Sequence, residues 1–303
     1  MTRKGPVHLP VYLPTIALGR FVLDKHVLPY LLPAMTPGIM VSQRYIQYIE
    51  APFTQSMWLD SGAYALLSVE QANWTTDKQG LGQINLPPAT TEYAGCDRLH
   101  PQTVLDSQEA LAEVGFTLDI PIPPGCPVPE ATRRLAATLK NAAWALRHKQ
   151  RPDLRLFASL PFYDLKQAGQ TARTYAQITV DGKRFDGIAI GGLVPRLGNP
   201  DLLVAAVETV RAAAPGLPIH LFGIGEPDLA HQLFAAGATS TDSATFLTRA
   251  ARGQRWGSDA AMANPSLYEK VHLALLNLAA GQQATLPYSP FQVSLATWYL
   301  RGE

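Results

Sequence analysis

Ala238-Thr-Ser-Thr-Asp-Ser-Ala-Thr-Phe-Leu-Thr-Arg249 is a short β-branched run that ends at an acid, Asp242, and passes at once into a polar turn. Arg249, Arg252 and Arg255 follow it. An acid at the end of a buried strand has no packing role, because a carboxylate moved out of water loses its hydration. Asp242 is therefore read as a catalytic carboxylate at the mouth of a barrel, and the three arginines as candidate phosphate contacts.

Outward from this run the pattern is regular. Residues 227–236 read as a helix closed by Gly237 as its C-cap. Before it come a strand at 218–223, a helix at 200–214 and a strand at 185–191. Further upstream, helices at 165–180, 130–149 and 101–114 alternate with strands at 154–160 and 116–120, and Gly115 reads as a C-cap. Residues 266–280 form the last clear helix. Residues 7–16 and 38–47 read as extended, and Ser56-Met-Trp-Leu-Asp60 as a short strand running into Ser61-Gly62. Residues 73–100 are a loop or an insertion, with no clear period over 74–91. Alternating strands and helices with short connections imply parallel strands and right-handed crossovers. The strands are apolar throughout, as when both faces are buried. Seven or eight of them fit one (β/α)8 TIM barrel over residues 1–303. No Gly-x-Gly-x-x-Gly opens a helix after a first strand, which argues against dinucleotide binding.

Composition narrows the classes. The 303 residues are 47% hydrophobic and 16% charged, which supports a large core and excludes disorder. A net charge of +1 means that a nucleic acid would be held by a local basic patch. Cys96 and Cys126 read as buried thiols in a reducing cytoplasm. Pro6, Pro10 and Pro14 break the apolar N-terminal run, so it reads as a strand rather than a signal segment. No membrane helix is expected. His100, His220, His231 and His272 lack metal-ligand spacing, and neither metal nor cofactor is expected.

In such barrels chemistry sits at the C-terminal ends of the strands. Those ends carry Asp60-Ser61-Gly62, Asp119, Leu160-Pro161, Gly191-Gly192-Leu193, Gly223-Ile224-Gly225 and Asp242. Acids converging on one axis, with glycines that let the backbone approach a flat ligand, imply a planar polar substrate. Blander readings stand beside this one. Asp60 and Asp242 could cap turns or helices. Tyr64 and Phe222 could be plain core aromatics, and the arginines, like Arg133, Arg134, Lys140, Arg147 and Lys149, a solvated face.

Leu59-Asp-Ser-Gly-Ala-Tyr64 resembles the aspartate-serine-glycine motif of the tRNA-guanine transglycosylases. Phe185-Asp-Gly-Ile-Ala-Ile-Gly-Gly-Leu193 resembles that family's glycine-glycine-leucine strand end, and Leu221-Phe-Gly-Ile-Gly225 its next strand. Residues 237–249 resemble the segment with its nucleophilic aspartate, in a Thr-Asp-Ser-Ala-Thr form closer to the branch that inserts 7-deazaguanine bases into DNA. The likeness runs in order from Ser56 to Arg255.

The resemblance implies base exchange. Asp242 would attack C1′ and expel guanine, forming a covalent intermediate. Asp60 would move protons. Asp119, Gly192 N–H and Leu193 C=O would read the base edge beside Ser61, Gly62, Gly191 and Gly223, with Tyr64 and Phe222 stacking on its faces. Three departures stand out. No Cys follows Cys126, so the family's zinc subdomain is not recognisable; Leu160-Pro161 stands where a base-reading glutamine falls; Arg196 and Leu197 stand where an acid follows the glycine-glycine-leucine motif. The leading expectation is exchange of guanine in DNA for a free 7-deazaguanine base, favoured by the Asp242 segment and by the lack of an RNA-binding appendage after the barrel. The alternatives are a tRNA-guanine transglycosylase, a non-catalytic nucleic-acid-binding subunit of the same fold, and a barrel hydrolase; a homo- or hetero-oligomer is compatible with each.

Overall fold

The computed structural model describes residues 9–18, 22–31, 36–49, 53–87, 97–258 and 260–282. The strands are β1 (Val11–Ile16), β2 (Gly38–Ser42), β3 (Ser56–Asp60), β4 (Asn73–Thr76), β5 (Gly82–Asn85), β6 (Arg98–Leu99), β7 (Val114–Phe116), β8 (Arg155–Leu160), β9 (Gly187–Ile190), β10 (Ile219–Leu221) and β11 (Ser240–Ser243). The helices are α1 (Val22–Val27), α2 (Ala65–Ser68), α3 (Pro101–Leu111), α4 (Val128–His148), α5 (Leu165–Gln177), α6 (Pro200–Ala213), α7 (Pro227–Ala236), α8 (Thr245–Ala251) and α9 (Leu267–Gln282). Parallel strands close in the order β1-β11-β10-β9-β8-β7-β3-β2, and helices surround them. This is the expected (β/α)8 barrel. Gly237 closes α7 in the left-handed region, as its sequence position implies.

The barrel interior is filled below the C-terminal ends of its strands. Trp58, Phe116 and Phe157 fill its middle, with ring centroids 5.7 to 6.1 Å apart. Val11, Leu13, Met40, Val114 and Ala189 complete this plug, and Phe222 packs on its upper side. The outward faces of the strands bury a second apolar layer under the helices, exemplified by Leu156, Ile188 and Leu221. Apolar burial at about 25 cal/mol per Å² is the main drive for this arrangement. Among the described residues no helix is long and apolar enough to cross a membrane.

Five local expectations are corrected. Gly115 is not a helix cap: α3 ends at Leu111, and Gly115 lies within β7, paired with Leu59 and Leu156. A side chain there would meet Gln108 Oε1 at 2.5 Å, so close approach explains the glycine. β7 also ends at Phe116, and Asp119 lies in the extended chain beyond it, where Thr117 N–H still bonds Phe157 O (3.0 Å). The extended run at 38–47 stops at Ser42 and turns into a 3-10 helix, Gln43–Tyr48. The segment read as periodless holds the antiparallel sheet β4-β5-β6, so residues 73–100 are an insertion with structure; residues 88–96, including Cys96, lie outside the described residues. Asn141 of α4 docks this sheet, donating to Gly82 O (2.9 Å) and Leu118 O (3.0 Å). Cys126 is partly exposed rather than buried, because it sits in a proline-rich turn before α4.

Gln108 ties the narrow β3–β7 seam. Its Nε2 donates to Leu59 O (3.1 Å) and Phe116 O (2.8 Å). Replacing it removes a buried donor shared by two carbonyls. Gln108→Ala is expected to lower the unfolding free energy by about 2–3 kcal/mol, measured as a lower urea midpoint at unchanged slope.

Candidate active site

Alternation along β11 points Ser240 and Asp242 into the barrel, while the Thr241 hydroxyl turns outward to Leu221 O (3.0 Å) and Ile224 O (2.8 Å). The polar run can thus be buried because each of its groups finds a partner. Three donors meet the Asp242 carboxylate. Thr15 Oγ1 donates to Oδ2 at 2.6 Å. His220 Nε2 lies 3.1 Å from Oδ1, and Gly223 N–H reaches Oδ1 at 3.3 Å. The capping alternative for Asp242 fails: α8 begins after Ala244 with no side-chain cap. Asp60 does make a local turn, accepting from Gly62 N–H at 3.0 Å, and also accepts from Ser42.

Asp60, Asp119 and Asp242 line one cavity of about 510 Å³, a volume in the range of small-molecule sites. Burial pushes the Asp60 carboxyl up to about 6, with the Asp242 charge adding to it and bonds from Gly62, Ser42 and Ser61 opposing. Burial pushes Asp119 up to about 7, with the charge of Asp60 second. The cavity therefore holds two acids able to exchange protons near neutral pH beside a third held by three donors. Such a set suits proton transfer and nucleophilic attack at one centre.

Gly62, Tyr64, Gly191, Gly192, Leu193, Phe222 and Gly223 share the cavity with the acids. Tyr64 is half exposed at its mouth, and Phe222 packs edge-on against Phe116 with centroids 4.9 Å apart. Ser61 is not part of the lining; it is buried and its hydroxyl accepts from Ala63 N–H. The Leu193 carbonyl accepts from Arg196 N–H at 2.8 Å, so one of its lone pairs is used within the turn. Leu160 and Pro161 do not line the cavity. Nor do the three arginines after Asp242: Arg249 lies over the Trp256 ring (4.5 Å) and donates to Arg255 O (3.2 Å), while Arg252 and Arg255 are exposed. Thr245 and Thr248 bring α8 into the lining instead.

The sequence reading assigns no role to Thr15, Ser42 or Arg44, and weighs His220 only as a metal ligand. Thr15 and Ser42 lie near the ends of β1 and β2, so the strand-end rule reaches them once both segments are read as barrel strands. His220 lies two residues before Phe222, and strand alternation gives it the same inward face.

Arg196 accounts for one departure. It is buried, with Nη1 donating to Gly192 O (2.6 Å) and Nη2 to Phe162 O (3.0 Å) and Ile122 O (3.3 Å). A cation replaces the expected acid and ties the loops after β7, β8 and β9 together. It also fixes the turn at Gly192, whose φ of 73° favours glycine. The family's zinc site does not fit this chain: it needs three cysteines, and these 303 residues contain two, Cys96 and Cys126.

A family model described as queuine tRNA-ribosyltransferase matches residues 1–270. The chain belongs to this family, the tRNA-guanine transglycosylases. It is 26% identical over 244 residues to the tRNA-guanine(15) transglycosylase of Thermococcus kodakarensis, covering 79% of this chain and 38% of that protein. It is 25% identical over 252 residues to the protein of the same name from Methanothermobacter thermautotrophicus, covering 81% and 35%. The chain thus spans little more than a third of the length of these relatives.

The raised acids have a cost in stability. Asp119 titrates at about 7 in the folded chain, against an ordinary value of 3.8, so stability falls as pH rises from about 4 through about 7. Asp119→Asn removes that ionisation. Its melting temperature is expected to exceed that of the parent, with a gap that widens from about pH 5 to about pH 8 in a thermal-shift series.

Proposed function

We propose that the chain is a guanine transglycosylase that exchanges a guanine in a nucleic acid for a free purine-like base. The observation that carries this reading is the meeting of Asp242, Asp60 and Asp119 in one cavity, in a chain of this family. In the first step the Asp242 carboxylate attacks C1′ and the C1′–N9 bond breaks. The bonding pair leaves with guanine, which takes a proton from Asp60. In the second step a free base attacks C1′, its proton returns to Asp60, and the ester to Asp242 breaks. Each step divides a difficult displacement. Asp119 accepts N–H donors at the base edge, and Tyr64 and Phe222 hold its faces, once the nucleotide has left its stack.

The relatives, tRNA-guanine(15) transglycosylases by name, support tRNA as the nucleic acid ahead of the DNA reading to which the Thr-Asp-Ser-Ala-Thr form leans. Exposed Arg252 and Arg255, beyond the end of α8, are the proposed phosphate contacts. A binding-only subunit is the weaker reading. Base recognition can use Asp119, but binding alone has no use for a proton-exchanging Asp60 beside a donor-held Asp242.

The test incubates the chain with tRNA or duplex DNA and labelled guanine or a 7-deazaguanine. Incorporation into tRNA and a denaturation-resistant adduct are expected, both lost in Asp242→Asn. Full exchange by that variant would remove the nucleophile assignment; release without incorporation would favour the hydrolase. Base release is expected to fall as pH rises above about 6, because Asp60 must carry a proton. Asp60→Asn is expected to lose that limb and on the order of 10²–10⁴ in rate.

A further inference from the structure

His220 is an anomaly in the barrel interior. It is fully buried, and its ring lies among Phe116 (centroids 4.9 Å apart), Phe222 (4.9 Å) and Trp58 (5.7 Å). Every neighbour in that aromatic layer is apolar, and an imidazole placed there loses its hydration. Its position is held by two polar contacts, both to the next strand. Nε2 lies 3.1 Å from Asp242 Oδ1, and Nδ1 lies 2.9 Å from Ser240 Oγ. Parallel pairing of His220 with Ser240 sets this geometry, because Ser240 and Asp242 share the inward face of β11. A histidine that only filled volume would need neither partner, and Phe would fit the same aromatic surroundings.

The donor inventory fixes the direction of these bonds. A carboxylate accepts only, so Nε2 carries a proton and donates to Asp242. In the neutral ring Nδ1 then accepts from the Ser240 hydroxyl; in the charged ring it donates to it. Either way the same proton faces Asp242. Tyr12, which like Asp60 feels the Asp242 charge, is spent on Ser243 O at 3.1 Å, and Thr15 takes the other carboxylate oxygen.

We infer that His220 is a positioning residue for the exchange reaction, acting with Ser240 through the Asp242 carboxylate. This inference rests on the nucleophile reading of Asp242. His220, Gly223 N–H and Thr15 fix the rotation of the carboxylate so that a remaining lone pair faces the cavity. The larger effect falls on the second step. There the incoming base bonds to C1′, the C1′–Oδ bond breaks, and the electron pair returns to Asp242. The Nε2–H, already in place, stabilises the negative charge as it forms, with no rearrangement at that moment. Ser240 holds the ring in the required orientation, as a partner on the far nitrogen does for other working imidazoles.

The test compares His220→Phe, His220→Gln and Ser240→Ala in the full chain. His220→Phe keeps the ring and loses the donor; Gln retains a donor of similar reach. Single-turnover assays separate adduct formation from adduct breakdown by added base. His220→Phe is expected to slow breakdown on the order of a hundredfold, the cost of losing one preorganised donor. The adduct then accumulates on a denaturing gel, while the KM for the free base holds. His220→Gln is expected to restore part of the rate, and Ser240→Ala to lose less than His220→Phe. Folded His220→Phe with parental breakdown rates overturns the inference, as does a loss confined to melting temperature. The ring nitrogens of unliganded protein provide a readout that needs no activity. In ¹⁵N spectra Nε2 is expected to carry a proton, and an unprotonated Nε2 overturns the inference. If the parent chain forms no adduct with any nucleic acid, the proposed exchange fails, and the nitrogen spectra still decide the His220–Asp242 contact.

Discussion

Three carboxyl groups share one cavity, and their mutual repulsion and burial constrain everything around them. Charges brought together out of water are costly unless donors or protons offset them. The structure uses both. Asp242 receives Thr15, His220 and Gly223, whereas burial raises Asp60 and Asp119 toward neutral pH, with the charge of Asp242 adding to the first and that of Asp60 to the second. The division into one donor-held acid and two proton-exchanging acids is what distinguishes the site from an ordinary polar crevice.

The rest of the barrel serves to hold that division. The plug of Trp58, Phe116 and Phe157 closes the interior below the acids and keeps the dielectric low. Arg196 holds the loops after β7, β8 and β9 through their carbonyls, so the wall carrying Gly191 and Gly192 is fixed by a cation that does not itself line the cavity. Burial lowers the tendency of Arg196 to stay charged, and three carbonyls compensate for the lost hydration.

The barrel was legible in the sequence because strand and helix periods differ and both ends of many elements carry turn residues. The acids were legible because their strand ends are known once the strands are. What failed depended on contacts between distant residues. A glycine after a helix reads the same whether it caps the helix or makes room for a side chain, and only Gln108 folding over Gly115 decides. The sheet β4-β5-β6 has little apolar alternation of its own and is held by Asn141 and by Trp74, whose Nε1 bonds Glu130 at 2.9 Å. His220 lacks metal-ligand spacing in the sequence, and its actual partner, a carboxylate on the neighbouring strand, is not readable from spacing along the chain. Arg196 looked like a missing acid; its work is visible only once three loops are seen to converge.

The most direct measurement is a carboxyl titration of the unliganded chain with ¹³C-labelled aspartate, assigned by single substitutions. The expected result is two cavity aspartates with midpoints near about 6 for Asp60 and about 7 for Asp119, the Asp119 midpoint moving down in Asp60→Asn and the Asp60 midpoint moving down in Asp242→Asn. Both midpoints in the ordinary carboxylate range, indifferent to these substitutions, would contradict the shared, low-dielectric cavity on which the proposed chemistry depends.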